Sequence, residues 1–293
     1  MAVLSARPKV AVKNIVVATD FSPAAEVTLQ YAAAIARHYD SKIYLVHGIE
    51  LPGHETPHAT TLWGHEAEAE AEQKLQQEAA KCGGIECLPR VLKGTPLEVV
   101  ERILSLDDLD LVVIGFHGAK GFRKLGVGSA AEYFFRHVRC PLLAVGPSVK
   151  GWTPLWEPKQ VLLTTDLQSN EAVATRCAVL LAREHNAHLA LLHVAPPSRA
   201  PYPEEQHLID RPYFQSQLKE LLSYKLDYPA EFLVEFGDDA VAEILRVARE
   251  RASDLIVLSV HREEPWGLHL VHGAYRIVAE APCPVLITQR VRG

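Results

Sequence analysis

Residues 13–20 read Lys-Asn-Ile-Val-Val-Ala-Thr-Asp, and residues 159–166 read Lys-Gln-Val-Leu-Leu-Thr-Thr-Asp. Each stretch is a short apolar run that ends in Thr-Asp, which is typical of a buried strand followed by a turn. When the offset of 146 residues is held from residue 13 to residue 47, nine of the 35 aligned pairs are identical, whereas chance would give about two. The second half of the chain therefore repeats the first. The identical pairs are Lys13/Lys159, Thr19/Thr165, Asp20/Asp166, Val27/Val173, Ala32/Ala178, Ala36/Ala182, Arg37/Arg183, Leu45/Leu191 and His47/His193.

The ends of the two halves match as well, because Cys140-Pro-Leu-Leu-Ala-Val145 parallels Cys283-Pro-Val-Leu-Ile-Thr288. Within each half, short apolar runs alternate with segments of helical periodicity, which is the pattern of a parallel sheet covered by helices on both faces. We therefore predict an α/β fold with two tandem domains, residues 1–147 and 159–293. A segment rich in proline, residues 148–158, is predicted to link them.

The composition excludes several classes of protein. Of the 293 residues, 48% are hydrophobic and 23% are charged, so a full core is expected and disorder is excluded as the main state. The net charge of −6 argues against non-specific binding of nucleic acid, and no stretch approaches the ~20 apolar residues of a membrane span. Residues 1–13 lack the apolar core of a secretory signal, and the five cysteines form no CxxC pair. We expect a reduced, cytoplasmic protein.

The segment 115–129 is the most informative for function. It reads Gly-Phe-His-Gly-Ala-Lys-Gly-Phe-Arg-Lys-Leu-Gly-Val-Gly-Ser, with five glycines, three cations and no acid. It ends where Ser129 and Glu132 form a capping box, so a helix N-terminus with free amides follows. Glycines, cations and a helix start together predict a phosphate-binding loop, on the same sheet edge as Asp20. The alternative, a mobile surface loop with solvated lysines, stays open from the residues alone.

A family resemblance rests on this loop. Its Gly115-x2-Gly118-x9-Gly128-Ser129 spacing resembles the G-2x-G-9x-G-[S/T] pattern of ATP-binding universal stress proteins. The stretch 14–23 is similar to that family's first strand and turn, and 129–145 to its last helix and strand. The resemblance covers both halves. It implies an open five-stranded parallel sheet of order 3-2-1-4-5 in each domain, and ATP bound together with Mg²⁺ in the first domain.

The resemblance also implies roles for individual residues. Asp20 would contact the ribose or a metal-bound group. Gly48 would contact adenine through its main chain, although the family usually has valine there, so apolar packing is lost. The residues that would surround the ribose and phosphates are Gly115, His117, Gly118, Arg123, Gly128, Ser129 and Ala130.

The second half lacks the features of a phosphate site. Ser259 replaces the first glycine and Arg262 the second, no Gly-Ser follows at the third, and the loop has a charge of −1. Asp166 is retained, but an aspartate after a strand is common. We therefore expect one nucleotide per chain, in the first domain. The second domain is either a pseudo-domain or binds something that lacks a triphosphate.

No nucleophile, base and acid stand out together, so no catalytic residue is predicted. The sequence favours a nucleotide-dependent sensor or regulator of stress physiology. The alternatives are a slow ATPase, in which His117 could assist hydrolysis, another nucleotide-using enzyme, or a scaffold whose second domain binds a small ligand. Two histidine trios could hold zinc but lack a tight ligand spacing, so no metal site is predicted. They are His54, His58 and His65, and His261, His269 and His272.

The last strand of each half would be an exposed apolar edge, which proteins avoid. We predict that 140–145 and 283–288 pair or pack together within one chain, as the family's single-domain members pair between chains. This would give an intramolecular pseudo-dimer, and a dimer of whole chains through another face stays open.

Overall fold

The computed structural model describes residues 10–49, 57–106, 108–116, 138–149, 155–167, 172–198, 202–223, 228–260 and 267–289. Strands and helices alternate in both repeats, as the apolar periodicity predicts. The elements of the first repeat are β1 (Asn14–Ala18), α1 (Pro23–Tyr39), β2 (Lys42–Ile49), α2 (Pro57–Ala80), β3 (Cys87–Lys93), α3 (Pro96–Leu104), β4 (Leu111–Gly115) and β5 (Leu142–Val145). Those of the second are β6 (Gln160–Thr165), α4 (Ala172–His185), β7 (His188–Ala195), α5 (Pro203–Ser223), β8 (Ala230–Phe236), α6 (Ala240–Glu250), β9 (Leu255–Val260), α7 (Gly267–Glu280) and β10 (Val285–Gln289).

The strands of the first repeat are parallel and lie in the order β3-β2-β1-β4-β5, which confirms the expected 3-2-1-4-5 order. Val17 of β1 stands in register with Leu45 of β2 on one side and with Val113 of β4 on the other. In the second repeat the order β9-β6-β7-β8 is the equivalent of 4-1-2-3.

The central strands are buried on both faces. Ile15, Val16 and Val17 of β1 are inaccessible to solvent, as are Val112 and Val113 of β4. Strands covered on both faces need continuous apolar runs rather than alternation, which explains the uninterrupted apolar runs at 15–18 and 161–163. The core of each repeat therefore surrounds its first strand.

An aspartate before the fourth strand ties that strand to the first. The Asp110 carboxylate accepts hydrogen bonds from the backbone amides of Lys13 and Asn14, at 2.7 and 2.9 Å. In the second repeat, the Asp254 carboxylate accepts hydrogen bonds from the backbone amides of Lys159 and Gln160, at 2.7 and 3.0 Å. Burial raises the pKa of the Asp254 carboxyl. The sequence analysis missed this pair, although both aspartates directly precede equivalent strands.

The two last strands pair with each other. β5 and β10 are antiparallel, with Leu143 opposite Leu286 and Leu142 opposite Ile287, and all four side chains are buried. The predicted pairing of these strands is confirmed. It pairs the backbone N–H and C=O groups of two apolar strands that would otherwise form open edges. The intramolecular pseudo-dimer and the dimer of whole chains stay predictions.

The compact units of the chain do not coincide with its sequence repeats. The described residues of 12–156 and 260–289 form one unit, and those of 10–11 and 157–259 form the other. The division at 147 and 159 predicted from the sequence follows the repeats instead. The difference arises because β10 pairs with β5 and brings α7 with it.

Helix α7 packs where β4 and β5 end. The ring of Tyr275 meets the buried ring of Phe116 edge-on, with centroids 4.3 Å apart. The Ser148 hydroxyl donates to the carbonyl oxygen of Ala279 at 3.3 Å. Within the described parts of the chain, no helix is both long and apolar enough to span a membrane.

Gly146 tests this packing. An alanine Cβ at this buried position would collide with the backbone carbonyl oxygen of Val278 and lie 3.1 Å from its carbonyl carbon. Backbone cannot rotate away as a side chain can, so we expect Gly146→Ala to reduce the free energy of unfolding by about 2 kcal/mol. Urea denaturation followed by circular dichroism measures this change.

The matched control for this variant is Pro147→Ala, at the exposed neighbouring position. Its free energy of unfolding should stay within about 1 kcal/mol of the wild-type value. A Gly146→Ala protein as stable as wild type would contradict the close approach of α7 to β5.

Candidate functional site

The carboxyl ends of β1 and β4 lie side by side, because the two strands are parallel and Ala18 stands in register with Ile114. From β1 the chain passes through α1 to β2 on one side, while β4 lies on the other side. In open α/β sheets, ligands bind at the crevice formed by such a reversal of strand order. The structure thus brings Asp20 and Gly115, two of the predicted site residues, to one edge of the sheet.

The turn after β1 leads directly into α1. Ser22 caps α1, because its hydroxyl oxygen accepts the Ala25 amide at 3.1 Å, and Pro23 occupies the first turn. Asp20 is exposed, and its Oδ1 accepts the Ser22 amide at 3.0 Å. The carboxylate therefore stands beside a helix N-terminus, where the helix dipole favours negative charge.

Two residues fix the backbone on either side of Asp20. Phe21 is left-handed, with φ 61°, and its amide donates to Thr19 Oγ1 at 3.1 Å. The carbonyl oxygen of Thr19 accepts from Nδ1 of His47 at 2.8 Å, and the His47 ring packs on Phe21 with centroids 4.3 Å apart. The sequence analysis did not predict this contact. Its signal was present, since Thr19 and His47 both belong to the identical pairs.

Gly48 lies at the end of β2, in register with Leu92 of β3. A Cβ at this position would lie 3.0 Å from Cγ2 of Val99 on α3. A valine at position 48, which the family usually has, would therefore contact the side chain of Val99. The main chain of Gly48 stays exposed, as a backbone contact to a ligand would require.

Gly115 has a packing role that the sequence did not reveal. A Cβ here would lie 2.7 Å from Oγ1 of Thr28, which is wholly buried and donates to the Ala24 carbonyl at 2.8 Å. In the second repeat, Ser259 stands at the equivalent position and Ala174 replaces Thr28. The first repeat therefore has a hydroxyl on the helix, at Thr28, and the second has one on the strand, at Ser259. The first glycine is thus explained by the approach of α1 to β4, and its loss in the second repeat says nothing about phosphate.

The other predicted site residues lie outside the described residues, and their roles stay predictions. They are His117, Gly118, Arg123, Gly128, Ser129 and Ala130. The same holds for the side chains of both histidine trios.

The second repeat keeps the turn of the first. Leu167 has φ 60° and donates from its amide to Thr165 Oγ1 at 2.9 Å. Nδ1 of the buried His193 bonds to the Thr165 carbonyl oxygen at 3.0 Å. Asp166 lies between Thr165 and Leu167 in the sequence and is half-buried. The second repeat therefore retains both the aspartate and the conformation of the turn that carries it.

The pKa values of the cysteine thiols shift in different directions. Burial raises the pKa of the Cys140 thiol to about 11. The Cys87 thiol bonds to that of the buried Cys82, which raises the pKa of Cys87 and lowers that of Cys82. Cys82 is 1% exposed, so its thiol is shielded from solvent.

Gly115→Ala tests the packing at the switch point. Elsewhere in a strand this change stabilises by about 0.5–1 kcal/mol. Here the new Cβ would meet the Thr28 hydroxyl, and we expect a loss of about 1–3 kcal/mol in the free energy of unfolding. Adding Thr28→Ala should recover most of the loss, as measured by urea denaturation.

Thr28→Val is the matched control in the Gly115→Ala background. Valine lacks the hydroxyl but keeps a carbon in its place, so stability should not return. Recovery with valine would mean that hydrogen bonding, rather than volume, decides the fit.

Comparison with known proteins covers both repeats. The model described as the Universal stress protein family matches residues 11–146 and again residues 157–289. A universal stress protein of Methanocaldococcus jannaschii is 25% identical over 138 residues, which is 45% of this chain and 81% of that protein. Universal stress protein A homolog 1 of Coxiella burnetii is 29% identical over 149 residues, covering 45% of this chain and 95% of that protein.

Solved structures agree over the whole length. The crystal structure of a universal stress protein from Archaeoglobus fulgidus covers 95% of this chain and 98% of its own, with a TM-score of 0.65 and 16% identity. A Pseudomonas aeruginosa protein described as functionally unknown covers 96% and 93%, with a TM-score of 0.61 and 15% identity. Both show the same fold, and the matches of the family model decide the family. This chain belongs to the universal stress protein family and carries two copies of its domain in tandem.

Proposed function

We propose that the protein binds ATP, together with Mg²⁺, at the switch point of its first repeat and acts as a cytoplasmic, nucleotide-dependent regulator of the stress response. The observation that supports this most is the meeting of two features at one sheet edge. The exposed Asp20 follows β1, and the glycine-rich segment 115–129 begins where β4 ends. A nucleotide needs both a polar group for its sugar or metal and a backbone cradle for its phosphates.

The chemistry of Asp20 suits the ribose and the metal. A carboxylate accepts hydrogen bonds from a ribose diol, and it is the kind of oxygen ligand that Mg²⁺ or its bound water prefers. The Ser22 amide donates to Oδ1 of Asp20 and holds the carboxylate at the start of α1. We propose that the adenine lies against the exposed main chain of Gly48.

The phosphate part of the proposal rests on the sequence of residues 115–129. Lys120, Arg123 and Lys124 supply the charge, and the remaining glycines leave backbone amides open to approach. Ser129 begins a predicted helix whose amides can bind an anion. Since Gly115 is explained by packing, Gly118 and Gly128 carry this part of the proposal.

Binding is proposed for the first repeat alone. The loop of the second repeat has a charge of −1 and replaces the second glycine with Arg262. We propose that the second repeat serves as a scaffold or binds a small ligand without a triphosphate. Its turn around Asp166 has the same geometry as the first turn, so the difference between the repeats lies in the loops.

We propose regulation rather than catalysis as the main role. At the described part of the crevice, Nδ1 of His47 is bound to the backbone carbonyl oxygen of Thr19. A multiple-turnover assay for phosphate release, with and without Mg²⁺, separates this proposal from the slow-ATPase alternative. Turnover at many cycles per minute would contradict it.

Calorimetric titration with ATP and Mg²⁺ tests the stoichiometry, and we expect one ATP per chain. Gly118→Val, or Arg123→Glu with Lys124→Glu, should lower the affinity at least about a hundredfold, because two donors to a charged oxygen are lost. Asp20→Ala should weaken binding.

Asp166→Ala is the matched control, since it makes the same change in the same turn of the other repeat. It should leave the dissociation constant unchanged. Two ATP per chain, or full affinity in Gly118→Val, would contradict the placement of the site in the first repeat.

A further inference from the structure

His47 joins the ends of two neighbouring strands. It lies on β2, and its Nδ1 is 2.8 Å from the carbonyl oxygen of Thr19, just beyond β1. A carbonyl oxygen only accepts, so Nδ1 must carry the hydrogen, which fixes the tautomer of the ring. The amide of Thr19 in turn donates to the Val46 carbonyl at 2.9 Å. Both backbone groups of Thr19 are therefore bound to β2.

The next two residues depend on this anchor. Phe21 adopts a left-handed conformation that costs a non-glycine residue about 1–2 kcal/mol, so its surroundings must hold it. Its amide is held by Oγ1 of Thr19 at 3.1 Å, and its ring packs on His47. Asp20 lies between Thr19 and Phe21, so these contacts hold its backbone on both sides.

The second repeat shows that this arrangement is kept as a unit. His193 bonds to the Thr165 carbonyl at 3.0 Å, and its ring also packs on a phenylalanine, with centroids 4.9 Å apart. That phenylalanine is Phe214 of α5, whereas Phe21 comes from the turn itself. The ring tilt is nearly the same, 38° in the first repeat and 39° in the second.

Phe21 in the first repeat and Phe214 in the second have the same role, since each packs on the histidine of its repeat. Helices α2 and α5 both end seven residues before the next strand, so Phe214 corresponds to the buried Ala71. At the position of Phe21 the second repeat has Leu167. One repeat has a large residue in the turn and a small one in the helix, and the other has the reverse. The histidine keeps its aromatic neighbour and its carbonyl partner although the source of the neighbour changes.

We propose that His47 is a positioning residue of the nucleotide site, which acts on the ligand through Thr19 and Asp20 without touching it. The inference rests on the proposed function for its ligand, a nucleotide with a ribose or metal-bound group that Asp20 contacts. It assigns to His47 the task of holding the Asp20 carboxylate toward that group. His193 has the same geometry in a repeat without the phosphate loop, so it provides the matched control.

A double-mutant cycle tests the inference by calorimetric titration with ATP and Mg²⁺. His47→Phe keeps a ring against Phe21 but removes the donor to Thr19, and we expect about tenfold weaker binding, the effect of one lost hydrogen bond. In the Asp20→Ala background the same change should have no further effect. An equal loss in both backgrounds would overturn the positioning role, because the effect would then not pass through Asp20.

Two variants separate positioning from general destabilisation. His47→Gln can still donate to the Thr19 carbonyl and should recover most of the affinity. His193→Phe should lower the melting temperature as much as His47→Phe does while leaving the dissociation constant for ATP unchanged. If His193→Phe weakens ATP binding equally, or if His47→Gln recovers nothing, the inference is wrong.

Amide hydrogen exchange of the nucleotide-free protein keeps the two proposals distinguishable. We expect the amides of Phe21 and Ser22 to exchange about tenfold faster in His47→Phe than in wild type. Unchanged exchange rates would overturn the role of His47, whether or not the protein binds ATP. A wild-type protein that binds no ATP would overturn the proposed function and the ligand named here, while the exchange data would still decide whether His47 holds the turn.

Discussion

The burial of β1 between two parallel neighbours is the constraint on which the first repeat depends. Ile15, Val16 and Val17 are inaccessible to solvent, so β1 must be covered on both faces and both edges. The chain can leave such a strand only at its end. It therefore turns sharply into α1, and the turn at 19–22 comes to lie beside the end of β4. The proposed site is a consequence of how a central parallel strand is buried.

The periodic features of the fold could be predicted from the sequence. Apolar runs of three or four residues and a repeat at a fixed offset can be read from the sequence, and each has a direct physical cause. The strand order of the first repeat came from the family resemblance, not from the residues. The pairing of β5 with β10 followed from the need to cover an apolar edge. The grouping of residues 260–289 with residues 12–156 could not be predicted, because contacts between residues far apart in the sequence leave no local pattern.

The candidate site was predictable in its location and less so in its detail. Asp20 could be identified because it follows a buried strand in both repeats. The reason for a glycine at position 115 could not be predicted. The hydroxyl of Thr28, which belongs to helix α1, fills the space that a side chain at position 115 would need. The bond from His47 to the Thr19 carbonyl could not be predicted either, because it depends on the register of two strands. Such contacts become visible only when strands are placed side by side.

The two repeats show how copies of one fold diverge without losing their cores. Thr28 with Gly115 becomes Ala174 with Ser259, and the ring beside the histidine moves from the turn to a helix. These are changes in pairs, since an interior packed to crystal density admits a larger residue only where a smaller one faces it. A substitution at a motif position in such a chain must be read together with its neighbour before it is taken as the loss of a ligand.

The pairing of β5 with β10 also has a consequence for synthesis. The ribosome completes β5 about 140 residues before it reaches β10. At about 5–20 residues per second, the edge of β5 has no partner from its own chain for roughly seven to thirty seconds. Neighbouring nascent chains on one messenger display the same apolar edge at the same time. The order of translation thus sets a period in which strand exchange between copies competes with the native pair.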